Sequence, residues 1–149
     1  MQFDEVKFVA AVVLVNDQKE VLITQRPQGR SGIAEGLWEF PGGKLEQNEA
    51  PALGARREIG EELGVDVDIN TLTPLPFLCN HWQTPTQKVW QVVVLPFLCH
   101  TWQGEPKGLE GQGMKWVPAE QLESREVKEI FLPEGQEVLT SVKQAVLNT

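Results

Sequence analysis

Between Phe40 and Val65 the chain runs FPGGKLEQNEAPALGARREIGEELGV, and no other segment constrains its folding as tightly. Pro41 and the two glycines after it make a turn in which the backbone can take positive φ and approach a neighbour closely. Pro51 suits the first turn of a helix and Gly64 its stop. Ala52, Ala55, Ile59 and Leu63 give that helix an apolar face, while Gly54 and Gly60 each cost it about 0.5–1 kcal/mol relative to alanine. Glu58, Glu61 and Glu62 gather on another face, because a helix advances about 100° per residue. Like charges at this spacing repel by roughly 0.2–0.5 kcal/mol per pair. A hard divalent cation, Mg²⁺ or Mn²⁺, turns that cost into a gain. The plainer alternative is a glutamate-rich face turned to solvent.

The rest of the chain predicts an α+β protein, with a mixed curved sheet between helices. Residues 8–15 form a β-branched apolar run that ends at Asn16 and Asp17, the pattern of a buried strand. Residues 20–25 are its expected hairpin partner. Residues 27–36 predict a polar loop, and 37–40 a short strand. Further strands are expected at 65–69, 76–82, 89–100 and 114–117. A short helix is expected at 118–122 and an amphipathic one at 134–147. No repeat, low-complexity tract or linker divides the 149 residues, so one domain is expected over 1–149.

Composition narrows the partners. A net charge of −8 and a pI near 4.8 argue against a nucleic-acid polymer. They leave room for a small anionic substrate whose charge is balanced by bound cations. Cys79 and Cys99 are too few and too far apart for a zinc motif or a disulfide framework, and each is expected to fill a strand core. A reduced, cytoplasmic setting fits them, and the apolar run at 8–15 is too short to span a bilayer. His81 and His100 lack metal-ligand spacing. Trp38, Trp82, Trp90, Trp102 and Trp116 lie on alternating strand patterns that predict burial, with Trp82 and Trp90 the better candidates for stacking on a ligand.

The segment resembles the Nudix box: a glycine, five residues, a glutamate, seven residues, then REUxEExGU with U aliphatic. Gly43, Glu49, Arg57, Glu58, Ile59, Glu61, Glu62, Gly64 and Val65 fill its specified positions. The resemblance implies an α/β/α sandwich. It also implies a metal site made of Glu58, Glu61 and Glu62 with the Gly42 carbonyl, and a Glu49–Arg57 pair holding the loop on the helix. An ordinary structural ion pair is the alternative for those two.

Ile23 to Arg26, Trp38 to Lys44, and the stretch from Trp102 through Gln112 are similar to MutT-type Nudix enzymes, and the similarity runs from about Val9 to Leu139. In that subgroup the glutamate matching Glu110 reaches the metal site from a distant loop; on its own it would be an unremarkable loop residue. Arg26 and the Glu39, Phe40, Pro41 and Gly42 segment would meet the nucleotide. Members preferring 8-oxoguanine carry an asparagine where this chain has Gly135, or Gln136 if the alignment slips by one.

The implied activity is Mg²⁺-dependent hydrolysis of nucleoside triphosphates to a monophosphate and pyrophosphate, by a monomer or homodimer acting in nucleotide-pool sanitation. Hydrolysis of another nucleoside diphosphate-X substrate, a dinucleotide or nucleotide sugar, is the alternative within the family. A nucleotide-sensing domain without chemistry is the alternative outside it.

Overall fold

The structure is a computed structural model describing residues 2–27 and 35–149, with Glu134 described by its backbone alone. Most of the loop expected at 27–36 therefore lies outside the described residues.

A long strand, β1 (Glu5–Leu14), runs through the middle of the molecule. It pairs in parallel with β7 (Val89–Cys99) along its whole length, from Glu5 opposite Trp90 to Leu14 opposite Cys99. On its other side it pairs antiparallel with β4 (Gly42–Lys44), which places Gly42 beside Ala11 and Lys44 beside Val9. β5 (Thr73–Pro74) and β6 (Leu78–Gln83) both pair antiparallel with β7 and complete a mixed five-stranded sheet. A second sheet is wholly antiparallel: β2 (Glu20–Gln25) lies between β3 (Trp38–Glu39) and β8 (Gly113–Pro118).

The continuous apolar run of β1 is explained by burial on both faces. Ala10, Val12 and Leu14 point to one core, where they meet Ala55, Ile59 and Leu63 of α1 (Pro51–Leu63). Ala11, Val13 and Val15 point to the opposite core, closed by α2 (Arg125–Ile130) and α3 (Gln136–Leu147) through Val127, Leu139, Val142 and Val146. The result is the expected α/β/α layering. No helix is long and apolar enough to cross a membrane among the described residues.

Several expectations are corrected. β2 is not the hairpin partner of β1: the two share a single bridge, Val15 to Val21, after which β2 turns into the other sheet. Residues 65–69 form no strand. Only Asp66 bridges, to Gln103, and a 3₁₀ turn, Ile69–Thr71, follows, capped by the Asp68 side chain. Helix α2 and strand β4 were not anticipated, and α3 begins two residues late, after a 3₁₀ turn at Pro133–Gly135. Cys99 is buried as expected, but Cys79 is exposed, since it sits on the outer face of β6. None of the five tryptophans is fully buried. Trp102 and Trp116 stack on each other at 6.1 Å, Lys115 lies over the ring of Trp38, and Trp82 and Trp90 line an open cavity, where a large ring can keep one edge in contact with solvent.

Two glycines in α1 differ in the space around them. A Cβ at Gly54 would lie 2.2 Å from Leu45 Cδ2 and 2.9 Å from Glu49 Oε1, whereas one at Gly60 would meet only the Val65 carbonyl at 3.7 Å. Gly60→Ala is therefore expected to stabilise the protein by about 0.5–1 kcal/mol, seen as roughly 2–4 °C in a thermal melt. Gly54→Ala is expected to lower the melting temperature by forcing the loop off the helix, at about 1–3 kcal/mol. A rise for both variants would show that the loop packing around Gly54 is slack.

Candidate active site

Gly42 explains how the turn meets the helix. Its φ is +152°, and a Cβ there would stand 2.0 Å from the Ala10 carbonyl, so only glycine lets β4 lie this close to β1. Gly43 leaves a different space: a Cβ would fall 2.4 Å from Glu58 Oε2, so the Glu58 carboxylate lies directly on the turn. From the helix side, Glu62 Oε2 accepts the Gly42 N–H at 3.1 Å. Turn and helix are thus joined through the carboxylates that the sequence assigns to a metal.

Arg57 holds the group from one flank. Its Nε and Nη2 donate to Glu49 at 2.7 and 2.9 Å in a bidentate pair, and Nη2 also donates to the Lys44 carbonyl at 3.1 Å. Its Nη1 donates to Glu58 at 3.0 Å and to Glu61 at 3.3 Å. Glu49 is secured in turn by the Glu46 N–H at 2.9 Å. The arginine places Glu49 well below the usual carboxylate range, at about 2.

Glu110 comes from far along the chain. The loop before β8 docks on the C-terminal end of α1, where the Leu109 N–H and the Gln112 side-chain amide both donate to the Glu62 carbonyl at 3.0 Å, and Lys107 N–H donates to the Leu63 carbonyl at 3.0 Å. These bonds satisfy helix-end carbonyls that have no partner within the helix. Gln112 Oε1 accepts the Glu110 N–H at 2.9 Å, so the same side chain that binds the helix also orients Glu110. Glu110 then lines a cleft of about 160 Å³ with Glu62, Gly42, Pro41, Arg26 and Glu39.

The charge in this cleft is unbalanced. Burial pushes the Glu62 carboxyl up to about 8, with Glu58, Glu110 and Glu39 adding to the rise and the Gly42 N–H offsetting part of it. Glu58 is also raised, first by burial. Among the described residues no three carboxylates meet at one point, because Arg57 bridges Glu58 and Glu61. The donor set still fits a hard divalent cation: it consists of carboxylate oxygens, in excess, around a partly buried glutamate whose own charge is disfavoured.

A larger cavity of about 700 Å³ adjoins this cleft, and Arg26, Glu39 and Phe40 belong to both. Its floor is the concave face of the five-stranded sheet, with Val9 and Lys7 from β1, Val92 and Trp90 from β7, and Asn80 and Trp82 from β6. Its roof is Phe40, Phe131, Leu132, Gly135 and Val138, with Phe40 and Phe131 packed edge to face at 5.4 Å. Arg26 donates to Glu39 at 2.7 and 3.2 Å and lies 5.7 Å from the Trp82 ring. Lys7 and Lys44 lie 4.9 and 4.7 Å from the ring of Trp90.

Of the residues expected at the site, Arg26, Glu39, Phe40, Pro41, Gly42, Glu62 and Glu110 line these cavities, whereas Glu49, Arg57, Glu58 and Glu61 line neither and are held together by the Arg57 guanidinium. Glu61 is half open to solvent beside Arg57, and Glu110 is exposed as well. Trp82 and Trp90, the stacking candidates, both line the large cavity, whereas His81 and His100 lie exposed elsewhere. Lys7, Lys44, Asn80, Gln112 and Phe131 were missed. A signal existed for some of them: residues 7, 9 and 11 share one face of a strand, as do 80 and 82. Nothing local marked Gln112 or Phe131.

Glu49 and Glu62 give stability an opposite pH dependence at the two ends. Glu49 is depressed, so its contribution is present above about 4.5 and lost as pH falls towards 2. Glu62 is raised, so its contribution is full below about 4.5 and is lost as pH rises through about 8. In chelator-treated protein the melting temperature is expected to fall between those two pH values, and Glu62→Gln to flatten the fall. An unchanged slope in the variant would remove Glu62 as its source.

A family model described as the NUDIX domain matches residues 6–135. The chain is 48% identical over 64 residues to an 8-oxo-dGTP diphosphatase of Proteus vulgaris, which spans 43% of this chain and 55% of that protein. It is 29% identical to an 8-oxo-dGTP diphosphatase of Escherichia coli K12 over 91% of this chain and 95% of that one. A solved structure of a MutT protein from Methanosarcina mazei Go1 shares the fold, with a TM-score of 0.74 and 20% identity over 97% of this chain and 98% of that one. Nudix hydrolases generally use a divalent metal. Since the matched region takes in nearly every element from β1 to the turn before α3, the chain belongs to the NUDIX family, as a hydrolase of phosphoanhydride bonds.

Proposed function

We propose that this protein hydrolyses nucleoside triphosphates to a monophosphate and pyrophosphate, with Mg²⁺, in the cytoplasm, and so cleanses the nucleotide pool. The observation that carries the reading is the joining of two unlike cavities. A carboxylate-lined cleft and an apolar, aromatic-walled cavity of about 700 Å³ share Arg26, Glu39 and Phe40. A ligand that fills both has a polyanionic end and a flat, largely apolar end, as a nucleotide does. The names of the relatives support the same substrate class.

On this reading the whole chain acts as one catalytic domain. Glu58, Glu61, Glu62 and Glu110 would hold Mg²⁺, with Gly42 beside them. The ion supplies neutralisation of charge on the phosphate oxygens and acidifies a water. The protein's own contribution is mostly positioning, which is the main part of phosphoryl-transfer catalysis. Arg57 keeps Glu49, Glu58 and Glu61 in place, and the Gly42 N–H keeps Glu62 facing the cleft. Phe40 and Phe131 shield the ligand's apolar end from water.

Pyrophosphate release from a panel of dNTPs, NTPs and oxidised nucleotides, with and without Mg²⁺, tests the proposal. Glu62→Gln and Glu61→Gln are each expected to cut turnover by several orders of magnitude with the fold retained, since the amide lacks the anionic charge. Near-normal turnover in either variant would remove that residue from the ion's ligands, and absence of metal-dependent release from every nucleotide would overturn the function.

Gly135 bears on which base is preferred. It lines the roof of the large cavity and presents no side chain, and a Cβ there would lie 2.9 Å from Phe131 Cε1. Discrimination between 8-oxo-dGTP and dGTP is therefore expected to be weaker than in relatives with an asparagine at this place. In competition kinetics, a kcat/KM ratio above roughly 10⁴ in favour of the oxidised nucleotide, the range reached by dedicated hydrogen-bonding sites, would contradict this.

A further inference from the structure

The polar groups of the large cavity are unevenly distributed. Its roof, from Phe40 to Val138, is apolar and offers no hydrogen-bonding side chain at position 135. On the floor, Arg26 is paired with Glu39, and Lys7 and Lys44 lie over Trp90, with Lys7 also paired to Glu5. Asn80 is a further hydrogen-bonding side chain among the described lining residues. It lies on β6 opposite Val92 and two residues from Trp82, and so shares the cavity face with both.

Pockets for small ligands are typically apolar surfaces with a few placed polar groups that set orientation and specificity. An asparagine amide presents two donors and two acceptor lone pairs, so it can meet a nucleobase edge even while one position bonds elsewhere in the protein. Asparagine is also a side chain that pairs bidentately with a purine edge.

We infer that Asn80 is a specificity-determining residue that reads the base from the sheet side of the cavity, in place of a side chain at position 135 on the helix side. The inference rests on the nucleotide reading above. Trp82, its neighbour on the strand, provides the ring surface on which the base lies while Asn80 meets its edge.

The test is binding of nucleoside monophosphates carrying each of the common bases and 8-oxoguanine, followed by tryptophan fluorescence without metal, alongside kcat/KM for the matching triphosphates. Asn80→Leu is expected to weaken binding of the preferred base about 10–100-fold, to bring the different bases closer together, and to act more on KM than on kcat. Asn80→Asp keeps the size and the acceptors but loses the donors, so its preference is expected to move towards bases that present donors. Melting temperatures show whether each variant is folded, and the aspartate variant serves if the leucine variant is not. Base preferences unchanged from wild type in the folded variants would overturn the role of Asn80, as would a wild type that binds nucleotides without preference. A wild type that binds and cleaves no nucleotide would instead overturn the functional reading beneath it.

Discussion

The Arg57 guanidinium is the interaction on which the site depends. One planar group with donors on three nitrogens connects a loop glutamate, two helix glutamates and a backbone carbonyl of β4. Lysine carries the same charge but cannot span these directions, because its donors radiate from one atom. The pair with Glu49 is only partly exposed on both sides, so it is less screened than a surface ion pair. Arg57 therefore does two things together: it offsets part of the repulsion along the helix, and it sets the distance between the helix and the glycine turn.

How much of this was legible in the sequence follows from how local each cause is. The helix from Pro51 to Gly64 was readable because its start, its stop and its faces are all written in adjacent residues. The two-faced burial of β1 was readable from its unbroken apolar run. The partner of β2 was not, since pairing with β8 depends on a surface about ninety residues further along, and the local turn at Asn16 fits a hairpin equally well. Val65 and Val67 suggested a strand because they alternate; they are buried against α1, but the only bridge in their segment is made by Asp66 between them, to Gln103. In the site, the shared helix face of Glu58, Glu61 and Glu62 was legible from their spacing, whereas their division by the Arg57 guanidinium was not. Glu110 was carried only by family resemblance, and Gln112, which orients it, was not read at all, because the bonds that place that loop run across fifty residues.

The two cavities divide the work of recognition by physical type. The carboxylate cleft is built beside a glycine turn that has no room for a Cβ at Gly42 or Gly43, whereas the larger cavity is walled by side chains from the sheet and from the segment around α3. On the proposed reading, chemistry and selectivity lie on separate parts of the fold, meeting at Arg26, Glu39 and Phe40.

The parallel pairing of β1 with β7 has a consequence for how the molecule is made. Asp4 and Val89, at one end of that pairing, are 85 residues apart in the chain, and the Val89 N–H donates to the Asp4 side chain. Parallel strands so far apart close a long loop before their contacts repay its entropy, which favours slow folding. The entire segment from Phe40 to Val65 lies inside that loop. On the ribosome it is completed well before β7 exists to give β1 its neighbour, so α1 meets β1 while that strand still lacks its parallel partner. The core beneath that helix is closed only when Phe97 and Cys99 of β7 arrive with the second half of the chain.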